Sequence, residues 1–434
     1  MSMNSNHENC YKPKDKKLWC KECVPRCIIE EWTSENSDID EFIKNTIYNA
    51  KYSDDDDDDY DDDYPLFLEW IPYDRFNDIK KIGEGGFAKV YSATWIDGKA
   101  IYTRNNGSWK KGESEPIKVA LKKLNGSQNM SDEYLNELKT HWGLYNSNTG
   151  SLNFHGITRD PNTKEFMMVM QYASQGNLRC VLSNNFNKIL WEDKLLNLMN
   201  SAYDLKNLHE LGYIHKDFHS GNILLNYEDN ENISYISDFG LSAGPSNKQK
   251  SDNKICGVLP YISPEVLNTK LYTSSSDIYS FGVIMTELSS GVPPFYKRKH
   301  DIKLALDICN GLRPEFGKGT PEVYKTLAYK CMNANPDQRP TASELYNILH
   351  FWHNSTYGNC QDIKKFGYKG KEIKAIFEEA DKEIPSISTS FEKNPGAIYI
   401  SRPFIFSDLP KPINSPIITS YLQDSLLAEM EIPN

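Results

Sequence analysis

His215-Lys216-Asp217-Phe218-His219-Ser220-Gly221-Asn222, followed by Asp238-Phe239-Gly240, is the stretch whose reading decides this chain. It opens after a run in which Leu195, Leu198, Ala202, Leu205 and Leu208 fall on one helical face. A carboxylate and an amide therefore sit on a loop behind a helix, and a second carboxylate follows a strand-like segment. Carboxylate and amide oxygens are hard ligands that suit Mg²⁺, which in turn bridges phosphate oxygens. Upstream, Gly83-Glu84-Gly85-Gly86-Phe87-Ala88-Lys89-Val90 makes a Gly-rich turn between two strand-like runs, where bare backbone can approach a phosphate. Val119-Ala120-Leu121-Lys122 places an ammonium mid-strand among apolar residues. Such a cation needs a counter-charge, which Glu137 on the next helical run or a phosphate would supply. Taken singly, each of these is more often an ordinary turn or a solvated side chain.

Composition divides the chain. Residues 1–30 are polar and carry cysteines, and 31–51 (Trp32, Ile39, Phe42, Ile43, Ile47, Tyr48) predict a short amphipathic helix. Residues 52–64 hold an aspartate run that repels itself and predicts an extended linker. The body spans 76–351. Its first part is strand-rich, over 79–82, 88–96, 118–124, 153–158 and 166–172, with one helix capped by Ser131 and running to Tyr145. Between Trp95 and Val119 the connection reads as a solvated excursion, with a recognition loop as the alternative. After Tyr172 the pattern turns helical: 278–288 is apolar all round, and Thr341 with Glu344 forms a capping box. Residues 352–434 read as a tail with one further helix over 361–383. Strands first and helices after make an α+β class.

The formal charge is −11, but nine aspartates of the 54–63 run account for most of it. Net charge therefore does not indicate a basic surface, and no nucleic-acid partner is expected. No apolar run approaches the length of a membrane span, and the N-terminal residues lack the features of a secretory signal or a myristoylation site. The expectation is a soluble protein of the cytoplasm or another reducing compartment, with no membrane contact. Of nine cysteines, Cys10, Cys20, Cys23 and Cys27 crowd the N-terminus and could hold Zn²⁺; the competing reading is free thiols.

In order and spacing, the Gly-rich turn, Val-Ala-x-Lys, Glu137, His-x-Asp-x-x-x-x-Asn, Asp-Phe-Gly and Ser263-Pro264-Glu265 resemble the protein kinase signature set. Trp70 to Phe76 and His219 to Leu224 look closest to the tyrosine-kinase-like branch, and within it to the expanded kinase-like proteins of arbuscular mycorrhizal fungi. The resemblance implies a bilobal fold, with a small β-rich N-lobe holding one key helix and a larger, mainly helical C-lobe. It implies ATP and Mg²⁺ as cofactors and a protein substrate. Ile82, Gly83, Glu84, Gly85, Gly86 and Val90 would cover ATP; Ala120 and Leu224 would sandwich the base. Met170 would back the adenine, with Gln171 and Ala173 in the hinge. Lys122 would hold phosphates, oriented by Glu137. Asp217 would take the acceptor's proton, and Asn222 and Asp238 would hold Mg²⁺. Asp277 would brace the catalytic loop, and Arg339 would pair with Glu265.

Several positions depart from the pattern. Ala88 stands where a third glycine is usual. Lys216 replaces an arginine and cannot make a bidentate fork to a phosphorylated loop. His219 and Val258 replace the lysine and threonine usual in serine/threonine kinases. Serine/threonine specificity is nonetheless the expectation, with tyrosine or dual specificity and a non-catalytic scaffold as the rivals. The acidic run reads as a spacer or as a docking segment for a basic partner. Substrate, trigger and oligomeric state have no signature.

Overall fold

The structure is a computed structural model. It describes residues 28, 32–52, 65–85, 88–105, 108–112, 114–147, 152–228, 231–242, 255–268, 271–358, 362–406 and 408–430. The chain divides into two compact units, Met1–Tyr172 and Ala173–Asn434. The four N-terminal cysteines, and residues 53–64 of the expected acidic linker, lie outside the described residues.

In the first unit the helix α1 (Ser37–Tyr48) is capped by Asn36, whose side chain accepts from the amides of Asp38 and Ile39. Its apolar positions Ile39, Phe42, Ile43 and Ile47 are buried, as the helical spacing predicts. Six strands then form one sheet: β1 (Glu69–Trp70), β2 (Phe76–Glu84), β3 (Ala88–Trp95), β6 (Ile117–Leu124), β7 (Phe154–Arg159) and β8 (Phe166–Gln171), in the spatial order β1-β7-β8-β6-β3-β2. All neighbours are antiparallel except β1, which runs parallel to β7. That edge pairing requires Gly156, since a Cβ there would lie 2.2 Å from the Glu69 carbonyl oxygen. One face of the sheet packs Phe76, Ala93, Trp95, Val119, Leu121, Met167 and Val169 into a core.

The stretch after Trp95 differs from the expected solvated excursion. It holds a hairpin of β4 (Tyr102–Asn105) and β5 (Ser108–Lys111), and Ala100 and Tyr102 are buried. Tyr102 packs its ring near Phe67, and the Ala100 amide donates to Glu69 Oε1. A contact to a segment before the sheet has no local signature, which is why spacing alone missed it. Helix α2 (Asp132–Asn146) begins where expected, but the Ser131 side chain makes no capping bond.

The second unit is built on α4 (Trp191–Glu210), α6 (Ser274–Ser290), α8 (Glu322–Cys331) and α9 (Ala342–Tyr357), with shorter α3 (Leu178–Asn185), α5 (Pro264–Leu267) and α7 (Ile302–Cys309) around them. The predicted face of α4 (Leu195, Leu198, Ala202, Leu205, Leu208) is entirely buried, and α6 is buried from Ser276 through Ser290. The capping box of α9 is present: the Glu344 amide donates to Thr341 Oγ1, and the Thr341 amide donates to Glu344 Oε2. A small sheet pairs Gly176–Asn177, β9 (Ile223–Glu228) and β10 (Glu231–Ile236). Strand β11 (Ile255–Gly257) lies apart from it.

Residues beyond 352 are more ordered than a tail with one helix. They include α10 (Gly370–Asp381), β12 (Arg402–Phe404) and α11 (Pro416–Met430). Phe377 of α10 packs against Trp191 and Trp352, and Asp381 accepts the Trp191 amide at 2.8 Å. Burying a phenylalanine in this way is worth about 2 kcal/mol. Among the described residues no helix is long and apolar enough to cross a membrane.

Candidate active site

In the first unit, β6 alternates its side chains between faces. Val119 and Leu121 enter the core, which puts Ala120 and Lys122 on the opposite face. Register partners across a sheet share a face. Lys122 is paired with Val90 and Met168, and Ala120 with Ser92 and Met170. Val90, Ala120, Lys122 and Met170, separated widely in sequence, thus lie on one face. The Gly-rich turn closes with the Gly85 amide donating to the Ala88 carbonyl at 2.8 Å, and Gly83 pairs with Val90. Ile82 is exposed at the end of β2, while the next residue but one, Glu84, is ion-paired with Lys81. Gly86 lies outside the described residues.

Lys122 Nζ is ion-paired with Glu137 Oε1 of α2, the side chains retaining 10% and 7% of their exposure. Each charge leaves water only because the other is there. The neighbouring Lys123, on the other face, is held by Asp160 and Glu165 at 2.9 Å each. Sequence reasoning gave no place to that triad. At the end of β8, Gln171 is pinned twice to Asn153: its amide donates to the Asn153 carbonyl, and its Oε1 accepts the Asn153 amide.

In the second unit, the Asp277 carboxylate of α6 accepts the backbone amides of His215 at 2.9 Å and Lys216 at 3.0 Å, and lies 2.9 Å from His209 Nε2. Lys216 has φ +68°, a left-handed conformation that costs a non-glycine residue about 1 kcal/mol or more. Two charge-assisted bonds to one buried carboxylate offset that strain and fix the loop. His215 Nδ1 accepts the Asp217 amide, so its Nε2 carries the proton and donates to the Ser237 carbonyl. Burial lowers the His215 pKa, consistent with a neutral ring.

Asp217 itself is buried, and its Oδ1 has no hydrogen-bond partner among the described residues. His219 Nδ1 accepts the Gly221 amide, leaving its protonated Nε2 at 3.7 Å from that oxygen. Asn222 donates Nδ2 to the Asp217 carbonyl at 3.0 Å, which reserves its side-chain oxygen for a cation. The Asn222 carbonyl accepts from both the amide and the hydroxyl of Ser237, next to Asp238. Asp238 has φ +69°, a second non-glycine residue in the left-handed region. A buried, unsatisfied carboxylate oxygen is the kind of acceptor a hydroxyl proton needs. The donor set of Asn222 and Asp238 is the hard-oxygen chemistry that fits Mg²⁺. Leu224 follows on β9, half-buried, and the Ala173 carbonyl accepts the Gly176 amide.

Beneath this loop, Arg339 grips Glu265 with two bonds, Nη1 to Oε1 at 2.7 Å and Nη2 to Oε2 at 2.6 Å, both side chains almost fully buried. A second cluster escaped the sequence reading. Arg179 Nη2 donates to Tyr261 Oη, which donates to Glu287, and Ser220 Oγ lies 3.3 Å from the same phenol. Burial, with the Glu287 carboxylate next, raises the Tyr261 pKa well above the usual phenol range. Arg179 and Glu287 lie on different helices far apart in sequence, and nothing in either local pattern announces the pair.

The sequence profile of the protein tyrosine and serine/threonine kinase family matches residues 76–349. The chain belongs to that family, with a β-sheet N-lobe and a helical C-lobe. A protein named as a serine/threonine-protein kinase/receptor in Acanthamoeba polyphaga mimivirus is 30% identical over 287 residues, 64% of this chain and 16% of that protein. Two proteins named as serine/threonine-protein kinases in Dictyostelium discoideum are 27% and 30% identical, over 66% and 62% of this chain and 41% and 36% of their own lengths. The similarity thus spans less than half the length of each of these relatives.

Proposed function

We propose that this chain is an active protein kinase that transfers the γ-phosphoryl group of ATP to a hydroxyl of a protein substrate, serine or threonine. The observation that carries this reading is that a partnered, buried Lys122 and an unsatisfied, buried Asp217 Oδ1 both occur at the signature positions. Lys122, kept in place by Glu137, neutralises phosphate charge. The turn residues Ile82, Gly83, Glu84, Gly85 and Gly86, with Val90, Ala120, Met170, Gln171, Ala173 and Leu224, bind the nucleotide. Asp217 orients the acceptor hydroxyl and accepts its proton. Asn222 and Asp238 would hold Mg²⁺, which neutralises phosphate charge when bound. Catalysis of this kind is positioning and electrostatics. The names of the relatives favour serine/threonine over tyrosine. Trp70 to Phe76 and His219 to Leu224 support the tyrosine-kinase-like branch and the fungal set as its place in the family.

The test is MgATP-dependent autophosphorylation with the modified residues mapped by mass spectrometry. The expected result is phosphoserine or phosphothreonine, with turnover reduced about 10³-fold or more in Asp217→Asn. Phosphotyrosine alone would reassign the specificity. No Mg²⁺-dependent transfer to the chain or to any added protein acceptor would leave a scaffold.

A further inference from the structure

The end of the second unit is tied down residue by residue on its way to β12. The His300 amide donates to the Gly396 carbonyl, and His300 Nδ1 lies 2.9 Å from the Ile398 carbonyl. Arg179 Nη1 donates to the Tyr399 carbonyl and its guanidinium lies 4.8 Å over the Tyr399 ring. Tyr399 Oη donates to the Pro294 carbonyl, and Arg402 Nη2 donates to the His300 carbonyl at 2.7 Å. Arg402–Phe404 then pairs antiparallel with β11, in the register Ile255 with Phe404, Cys256 with Pro403 and Gly257 with Arg402. Beyond it, Asn268 Nδ2 donates to the Leu409 and Pro410 carbonyls.

That pairing falls beside Asp217. A Cβ placed on Gly257 would lie 3.5 Å from Asp217 Oδ1. Antiparallel partners have Cα atoms about 5 Å apart, so the Arg402 backbone runs within about 10 Å of the carboxylate. An acceptor hydroxyl that reaches Asp217 must be carried on a segment passing within one side-chain length of it. Arg402–Phe404, paired along Ile255–Gly257, runs beside that approach.

We propose that β11 is the strand on which an extended protein substrate docks, and that the chain's own segment 398–404 occupies it, so that substrate and segment exclude one another. Strand addition to a free edge draws its affinity from main-chain bonds, so one extended segment can replace another of different sequence. This rests on the kinase reading for the word substrate, and not for the exchange of segments on β11. If the segment is docked about nine-tenths of the time, the apparent affinity for a competitor falls about tenfold.

The experiment uses the full chain and Tyr399→Ala/Arg402→Ala, which removes two anchors outside the catalytic loop. A fluorescein-labelled peptide reproducing residues 396–406 is titrated against each, and hydrogen exchange is read at the amides of 255–257. The expected result is faster exchange and about tenfold tighter peptide binding in the variant, with a matching fall in KM for dephosphorylated casein and no change in KM for ATP. Equal peptide binding to both proteins, with faster exchange in the variant, overturns the proposal and leaves the segment a brace. If the double variant does not melt cooperatively, Phe404→Pro serves instead, because proline has no amide to give to the ladder. Peptide binding needs no phosphoryl transfer. Absent turnover with the expected binding would break the proposed function and keep β11 as a docking strand; normal turnover with equal binding would do the reverse.

Discussion

Two buried lysines, one in each unit, have opposite environments. Lys122 meets a carboxylate, Glu137, on a sheet face shared with Val90, Ala120 and Met170. Lys194 of α4 is wholly buried, its Nζ has no hydrogen-bond partner among the described residues, and the ammonium sits over Phe186 at 4.1 Å and Trp191 at 4.9 Å. Burial pushes the Lys194 pKa down to about 7, opposed only by the carboxylates of Asp381 and Asp193. The same burial raises the Asp381 pKa, with the Trp191 amide and Lys194 pulling it back. Burial alone therefore does not mark a lysine as functional. The first lysine has a fixed counter-charge and a place to act; the second has aromatic rings that neither neutralise it nor give it a task.

The comparison breaks if the two lysines respond alike to removal. Lys122→Met should cost turnover about 10³-fold, equivalent to about 4 kcal/mol in the barrier, while the protein, though less stable for losing the buried Lys122–Glu137 ion pair, still melts cooperatively; steady-state ADP production checks it. Arg339→Ala tests what a buried pair costs to break without any role in the chemistry. It leaves Glu265 buried and uncompensated, so urea unfolding should show a loss of about 3 kcal/mol.

Lys194→Met should do the opposite of both. Replacing a buried, unpaired ammonium by a thioether of similar shape should stabilise the protein by about 2 kcal/mol at pH 6 with turnover unchanged. The sign follows from linkage. Below pH 7 the lysine is charged in folded and unfolded chains alike, and the cost of burying it is felt in full. Between about 7 and the unfolded value near 10.4 the unfolded chain binds more protons, so stability rises with pH. Melting curves at pH 6 and pH 9 should show the variant's advantage shrinking at the higher pH. The smallest effect expected is at a site both sequence and structure describe alike: Thr341→Ala should cost about 1 kcal/mol through loss of the α9 cap, read by chemical unfolding.

Legibility followed the range of the interaction. Strands β2, β3, β6, β7 and β8 and helices α2, α4, α6 and α9 were foreseen within a residue or a few, since each side-chain period reflects a surface being buried locally. Lys122, Glu137, Asp217, Asn222 and Asp238 were singled out because side-chain type and spacing carry the chemistry. The Lys123 triad and the Arg179–Tyr261–Glu287 cluster were not, because their partners come from distant segments; the hairpin of β4 and β5 pairs locally, but the burial of Ala100 and Tyr102 against Glu69 and Phe67 has no local signature. Lys194 was passed over because a lysine beside an apolar face ordinarily extends to solvent. The C-terminal segment read as a tail because many of its anchors, such as the carbonyls of Gly396, Ile398, Tyr399, Leu409 and Pro410, are backbone groups that every residue possesses, and its side-chain anchors Tyr399 and Arg402 reach carbonyls about a hundred residues away.

The sequence by itself determined the α+β order of elements and the family, and it singled out residues whose types and spacing match that family's signature, since periodicity and functional-group chemistry are written residue by residue. Only the tertiary structure decided what each group meets: it formed the Lys122–Glu137 pair that the spacing suggested, left Asp217 Oδ1 without a hydrogen-bond partner among the described residues, and laid the chain's own Arg402–Phe404 on β11. Hydrogen bonding and desolvation depend on which distant atoms arrive at contact, and a linear pattern does not encode that.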